Sequence, residues 1–295
     1  MGSRPDSGRR TADDGQRTTG TGAVPELPAL GYSAPTVGHA FDRLNEAQTE
    51  RQEAPLAAEV PVALVYDGRP HVVMMCTPAD LEDFAFGFTL SEGIAPASEV
   101  TRVEVVRYSR GIELQIEIPS AAADRLAQRG RAIAGRTGCG LCGVEVIEEA
   151  LREPRTVRSA QTFQRDALWR ANASLASRQP LNRDTNAIHA AAWAAADGDL
   201  RVVREDVGRH NALDKVLGAL AREGTDASTG FLLVTSRASY ELVQKAAAAN
   251  VPLLAAISRP TALAVQLADE SGVTLVGLLR GRSANVYTHG ARIAS

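Results

Sequence analysis

Apolar positions along the chain follow two different rhythms. Residues 60–76, "VPVALVYDGRPHVVMMC", carry two apolar runs on either side of Asp67-Gly68, a dipeptide that favours a two-residue hairpin turn. Thr77 then reads as a helix N-cap, with Pro78 in the first helical position and Leu81, Phe84, Ala85 and Phe88 at helical spacing before Gly93. "RVEVVRY" and "IELQIEI" follow; in the second, Ile112, Leu114, Ile116 and Ile118 alternate strictly, which predicts a half-buried antiparallel strand. The first half of the chain is therefore α+β.

Further on the alternation stops. "LRVVRE" (200–205), "FLLVTS" (231–236), "PLLAAIS" (252–258) and "TLVGLL" (274–279) are short continuous apolar runs, and helical patterns lie between them at 211–221, 239–249 and 261–271, the last closed by Gly272. Such runs predict a parallel sheet with both faces covered. The fold class is α/β: a C-terminal α/β/α layer sandwich, with a smaller N-terminal α+β part. "TNAIHAAAW", with His189, reads as an alanine-rich helix. The expected organisation is a disordered tail over 1–22, an N-terminal domain over 55–135 with order beginning near Glu59, a flexible cysteine loop over 136–144, and the C-terminal domain over 145–295.

Composition narrows the function classes. The chain is 44% hydrophobic and 23% charged, as in soluble globular proteins. A net charge of −3 gives no global basic field, so nucleic acid is not an expected partner and any anionic ligand must be held by local arginines. No apolar run is long enough for a membrane span, and the N-terminus lacks the apolar region of a secretory signal. Three cysteines do not make a disulfide framework, and a reduced, cytoplasmic protein is expected.

Arginine follows each of the continuous apolar runs. Arg209 and His210 come after the first, Arg237 after the second, Arg259 after the third, and Arg280 with Arg282 after the fourth. In a parallel sheet these positions share the carboxyl edge, where helix N-termini also present free N–H groups to anions. Arginine forks suit phosphate, so a polyphosphorylated nucleotide is the expected ligand class. Neither a dinucleotide fingerprint nor a P-loop occurs after a strand.

"GRTGCGLCGVE", residues 135–145, sets Cys139 and Cys142 among glycines. Three chemistries fit the pair. A structural zinc site needs about four ligands, and only Cys76 and five scattered histidines are left to complete a shell. A redox pair would begin a helix after a strand. A mobile nucleophilic arm would use the glycines to swing the sulfur, with a helix over "VEVIEEALRE" lowering the thiol pKa. Cys76 ends an apolar run and reads as a small buried hydrophobe. His210, at a helix start, is better placed for a site than His189 or His289.

Together, "TPADLEDFAFGFTLSEGI", "RTGCGLCGVE", "REDVGRHNALDKVLG", "TSRASYELVQKAA", "VPLLAAISRPTALAVQLA" and "RGRSANVYTHG" make the chain from about Pro61 to Ile293 resemble the formate dehydrogenase accessory sulfurtransferases, the FdhD family. The resemblance implies a C-terminal fold similar to that of cytidine deaminases. The deaminase zinc chemistry is not implied, because His189 lacks the following glutamate and no proline precedes the cysteine pair. It implies a sulfurtransferase that accepts sulfur from a cysteine desulfurase as a persulfide on Cys139, with Cys142 as the supporting thiol. Sulfur would pass to the molybdenum or tungsten bis-guanine-dinucleotide cofactor that formate dehydrogenase needs. The family's cofactor-binding segment falls on Leu278, Leu279, Arg280, Gly281, Arg282 and Ser283. No zinc and no other metal site is implied, and the expected assembly is a homodimer. The alternative is a non-enzymatic carrier that only binds and inserts the dinucleotide cofactor.

Overall fold

The computed structural model describes residues 34–134 and 155–294. The tail over 1–22, the cysteine loop with Cys139 and Cys142, and the helix expected over 144–153 lie outside the described residues. An antiparallel ribbon of β1 (Thr36–Leu44) and β2 (Thr49–Ala57) precedes Glu59, where the apolar pattern begins. The ribbon's side chains are mostly exposed, so it carries no buried alternation to find in the sequence.

β3 (Val60–Tyr66) and β4 (Arg69–Cys76) form the expected hairpin. Asp67 and Gly68 both take positive φ, 47° and 74°, as the tight turn requires. α1 (Leu81–Ser91), β5 (Arg102–Tyr108), β6 (Gly111–Glu117) and α2 (Ser120–Ala134) complete a four-stranded sheet in the order β4-β3-β6-β5. β6 is antiparallel to β5, as predicted, but parallel to β3. Its Ile112, Leu114 and Ile116 are buried against Val60, Val62, Leu64, Phe84 and Phe88. Thr77 does not cap α1, whose N-cap is Asp80 in the left-handed region. Thr77 is fully buried, and its polar groups reach into the second half of the chain.

β7 (Phe163–Gln164), α3 (Arg165–Leu175) and α4 (Pro180–Thr185) lead into a six-stranded sheet. Its strands are β8 (His189–Ala195), β9 (Leu200–Asp206), β10 (Gly230–Val234), β11 (Leu253–Ala256), β12 (Thr274–Arg280) and β13 (Ser283–Val286), in the order β13-β12-β11-β10-β8-β9. A short β14 (Ile293–Ala294) pairs with β7. The interposed helices are α5 (Arg209–Arg222), α6 (Tyr240–Ala248) and α7 (Ala262–Ser271). Leu232, Val234, Leu254, Ala256 and Leu275 pack on one face with α5, α6 and α7. Phe231, Leu233, Leu253, Ala255 and Val276 pack on the other with α3. Both faces are dry, which is why these strands lack alternation.

The segment expected to be an alanine-rich helix is β8, a central strand. Alanine's helix propensity gives way to the sheet because Ala190, Ala191, Ala192 and Ala194 are all essentially inaccessible between two layers. β8 is antiparallel to both β10 and β9. It therefore reverses the chain once while leaving β9, β10, β11 and β12 pointing the same way.

α5 joins the two halves. Every residue from Asn211 to Leu220 is buried, and α1 lies directly across it. No helix among the described residues is long and apolar enough to cross a membrane.

Candidate functional site: the carboxyl edge of the six-stranded sheet

Because β9, β10, β11 and β12 share one direction, the segments bearing Arg209, Arg237, Arg259 and Arg280 leave the same edge of the sheet. Neighbouring strands lie about 4.8 Å apart, so the four steps from β9 to β12 spread this row over roughly 19 Å. The N-termini of α5, α6 and α7 meet the same edge.

At the β9 end, the Asp206 carboxylate accepts from Lys215 Nζ (2.6 Å), Gly208 N (2.7 Å), Thr77 N (2.9 Å) and Asn211 Nδ2 (3.0 Å). Val207 N donates to Thr77 Oγ1 (3.1 Å), and Lys215 Nζ to the Thr77 carbonyl (3.0 Å). The turn into α5 is thus clamped from the N-terminal half. A Cβ on Gly208 would sit 2.6 Å from Asn211 Nδ2, so the clamp leaves no room for a side chain. This fixed turn starts the helix that carries Arg209 and His210.

Arg209 Nε is buried and has no hydrogen-bond partner. A buried donor left unpaired is costly, and here it faces no internal acceptor. His189, paired with Asp206 in the β8–β9 ladder, stands at this same edge. Burial, and then the Arg209 guanidinium, hold its imidazole below the ordinary histidine pKa. His210 Nε2 lies 2.5 Å from Glu241 Oε2 and 3.3 Å from Ser239 Oγ, tying the start of α5 to that of α6. Burial pulls the His210 imidazole down to about 4. The Glu241 carboxylate works against that shift, and Arg209 and Lys245 add to it. Desolvation wins, so near neutral pH the contact with Glu241 is a neutral N–H donating to a carboxylate.

The other loops are stitched to one another. Ala190 N donates to Thr235 Oγ1 (2.9 Å), Thr261 N to the Ala238 carbonyl (3.0 Å) and Leu278 N to the Ser258 carbonyl (3.1 Å). The Thr261 hydroxyl caps α7 by accepting from Ala264 N (3.3 Å). Arg237 and Arg259 project from this scaffold, exposed. Arg280 is also exposed, and its Nε reaches the Ile257 carbonyl (3.4 Å).

The segment Leu278–Ser283 ends β12, turns at Gly281 (φ 55°) and begins β13. It is a hairpin, not a strand-to-helix loop. Leu278 takes φ 54° at a register shift between Gly277 and Arg280, and Leu279 is fully buried on the α3 side. The hairpin divides its arginines. Arg280 stays with the row, whereas Arg282 Nη2 pairs with Asp166 Oδ1 of α3 at 2.8 Å, on the other face of the sheet.

Cys76 is fully buried, and burial pushes its thiol pKa well up. Asn211 Nδ2 lies 3.3 Å from its sulfur. Among the described residues, no group of three or more His, Cys, Asp and Glu side chains could hold a metal ion. His289 lies away from the row, its Nε2 3.0 Å from the Asp269 carbonyl.

The sequence reading missed Asp206, Asn211, Lys215, Ser239 and Glu241. A signal was present: Asn211, Asp214 and Lys215 interrupt the apolar helix pattern of "NALDKVLGAL" at spacings that share one face. Polar groups on a face that must be buried need partners.

The chain matches the FdhD/NarQ family over residues 57–294. It is 55% identical over 239 residues to the protein named sulfur carrier protein FdhD of Xanthomonas euvesicatoria, a match covering 81% of this chain and 85% of that one. A protein of the same name from Cupriavidus necator is also 55% identical, over 81% of this chain and 83% of its own. In fold, the structure is similar to the crystal structure of a formate dehydrogenase accessory protein from Desulfotalea psychrophila. That likeness has a TM-score of 0.68 at 23% identity and covers 88% of this chain and 99% of that one. This chain belongs to the FdhD/NarQ family.

Proposed function

We propose that this protein is a sulfurtransferase of a cytoplasmic formate dehydrogenase maturation system, acting as a homodimer. Its sulfur donor is a cysteine desulfurase, and its acceptor is the molybdenum or tungsten bis-guanine-dinucleotide cofactor. The names of its relatives support sulfur carriage. The observation that carries the acceptor is the row of Arg209, Arg237, Arg259 and Arg280 along one sheet edge, beside three helix N-termini. A row of roughly 19 Å suits an extended ligand with several phosphates. The unpartnered Arg209 Nε adds a ready donor for an anion.

The cysteine chemistry closes with two thiols. The Cys139 thiolate attacks the outer sulfur of the donor persulfide, whose cysteine leaves as a thiolate, and a new S–S bond forms on Cys139. In delivery, the Cys142 thiolate attacks Cys139 Sγ and closes a disulfide. The two thiols supply two electrons, the outer sulfur leaves as sulfide, and the acceptor metal exchanges an oxo ligand for it with release of water. A thiol reductant then resets the pair.

The test is a reconstituted activation of cofactor-loaded, unsulfurated formate dehydrogenase. Protein carrying sulfur should activate it, Cys139→Ala should not, and an Arg209→Ala, Arg237→Ala variant should load sulfur yet fail to activate. Full activation by Cys139→Ala would refute the reading.

A further inference from the structure

Two apolar surfaces in the N-terminal half have no part in the site above. The first is on the β1–β2 ribbon. Its register sets Val37 opposite Leu56, His39 opposite Ala54 and Phe41 opposite Gln52, and side chains alternate along each strand, so these six share one face. Arg43 and Glu50 follow on that face at the ribbon's far end, where they oppose each other. Asp42 and Arg51 pair on the other face, 3.1 Å apart. The ribbon is thus amphipathic, yet Val37 and Leu56 are 37% and 48% exposed. Among the described residues, no β1 or β2 side chain joins a hydrophobic core. A two-stranded ribbon is marginally stable at best unless it packs on another surface.

The second surface is the side of β3 and β4 turned away from α1 and α2. Val60, Val62, Leu64, Val72 and Met74 pack with those helices. Pro61, Ala63, Val73 and Met75 alternate with them, and the register places Pro61 beside Met75 and Ala63 beside Val73. Val73 is 62% exposed and Met75 47%. An uncharged apolar strip two strands wide is left open, as at a protein interface.

We propose that the ribbon is an arm that lies across this strip on a second copy of the chain and that each copy receives the other's arm in return. This rests on the homodimer reading and names its interface. In its own chain the ribbon is held off the strip. Only Ala58 and Glu59 separate β2 from β3, and buried Ala58 donates its N–H to the Pro35 carbonyl (2.9 Å), fixing the direction in which the ribbon leaves the sheet. Arm and strip match in size, each two strands wide and seven to nine residues long. A ribbon face of roughly 30 Å by 10 Å presents about 300 Å2. Exchange covers two arms and two strips, about 1,200 Å2, which is the size of a specific interface. It is self-complementary and closes at two copies.

Sedimentation of the full-length protein tests this. Wild-type protein should be a dimer. Leu56→Glu on the arm and Val73→Glu on the strip should each raise the dimer dissociation constant at least about a hundredfold, because each would bury an unpaired charge. Both positions are exposed within one copy, so the monomers should keep their fold. A second variant introduces no charge: Leu56→Cys with Val73→Cys, in a Cys139→Ser, Cys142→Ser background. Mild oxidation should convert it to a covalent dimer on a non-reducing gel. A disulfide formed within one chain would show that the arm lies on its own sheet and would overturn the exchange. A dimer unaffected by both glutamates and not cross-linked by the cysteines would overturn it too, and leave the homodimer reading standing. Wild-type protein that is monomeric at every concentration would overturn the homodimer and the exchange together.

Discussion

Gly87 of α1 and Gly218 of α5 meet backbone to backbone. A Cβ on Gly87 would lie 1.7 Å from the Asp214 carbonyl oxygen, and one on Gly218 would lie 1.8 Å from that of Asp83. The obstacle is main chain on both sides, so no rotamer change relieves it. This crossing presses the N-terminal half onto the helix that begins at Arg209. Gly218→Ala should therefore destabilise the protein by about 3 kcal/mol, the upper range for overpacking. Urea denaturation would show it as a lower midpoint; an unchanged midpoint would mean that the two helices separate freely.

Lys215 and Asp206, both without solvent access and 2.6 Å apart, clamp the turn that presents Arg209 and His210. Lys215→Met would leave a buried carboxylate without its cation, at a cost of about 3–5 kcal/mol. Adding Asp206→Asn should recover part of that loss, because the stranded charge is then gone. Equilibrium unfolding of the two single variants and the double variant measures the coupling.

His210 gives the stability a pH dependence of definite sign. Its folded pKa of about 4 lies below the ordinary 6.5, so the unfolded chain binds more protons in between. The contribution is complete above 6.5 and is lost as pH falls towards about 4; His189, shifted the same way, adds to it. His210→Gln should flatten the fall in melting temperature across this window. A slope identical to wild type would show that His210 charges freely in the fold.

Much of this architecture is written in local pattern. Asp67-Gly68 names its hairpin because only a positive-φ turn joins those strands. The arginine-bearing strands declare themselves by continuous apolar runs, which is what a sheet covered on both faces demands. β8 does not, because Ala190–Ala194 prefer a helix until two layers close over them. Thr77 looks like a cap from its neighbours, yet its partners Asp206 and Lys215 are well over a hundred residues away. The row of arginines was legible; the clamp beneath it depends on contacts between the halves that no local pattern holds.

Arg209 provides a separate check on the proposal that the arginine row binds phosphate. Removing a charge-assisted contact costs roughly 1.5–3 kcal/mol, and one decade of affinity is about 1.4 kcal/mol. Arg209→Ala should therefore weaken guanosine diphosphate at least about tenfold while persulfide loading is unaffected. Calorimetric titration beside a loading assay separates the two; equal affinity would make Arg209 a bystander.

Sulfur carriage on Cys139, as proposed, leaves a covalent mark that can be read directly. The measurement is peptide mass spectrometry of the protein after incubation with a cysteine desulfurase and cysteine, without reductant. The peptide holding Cys139 should gain the mass of one sulfur atom, lose it on treatment with a thiol reductant, and show no gain in Cys139→Ala. If Cys139 stays unmodified while the desulfurase turns over, or the added sulfur is found only on Cys142 or Cys76, the assignment of Cys139 as carrier is wrong.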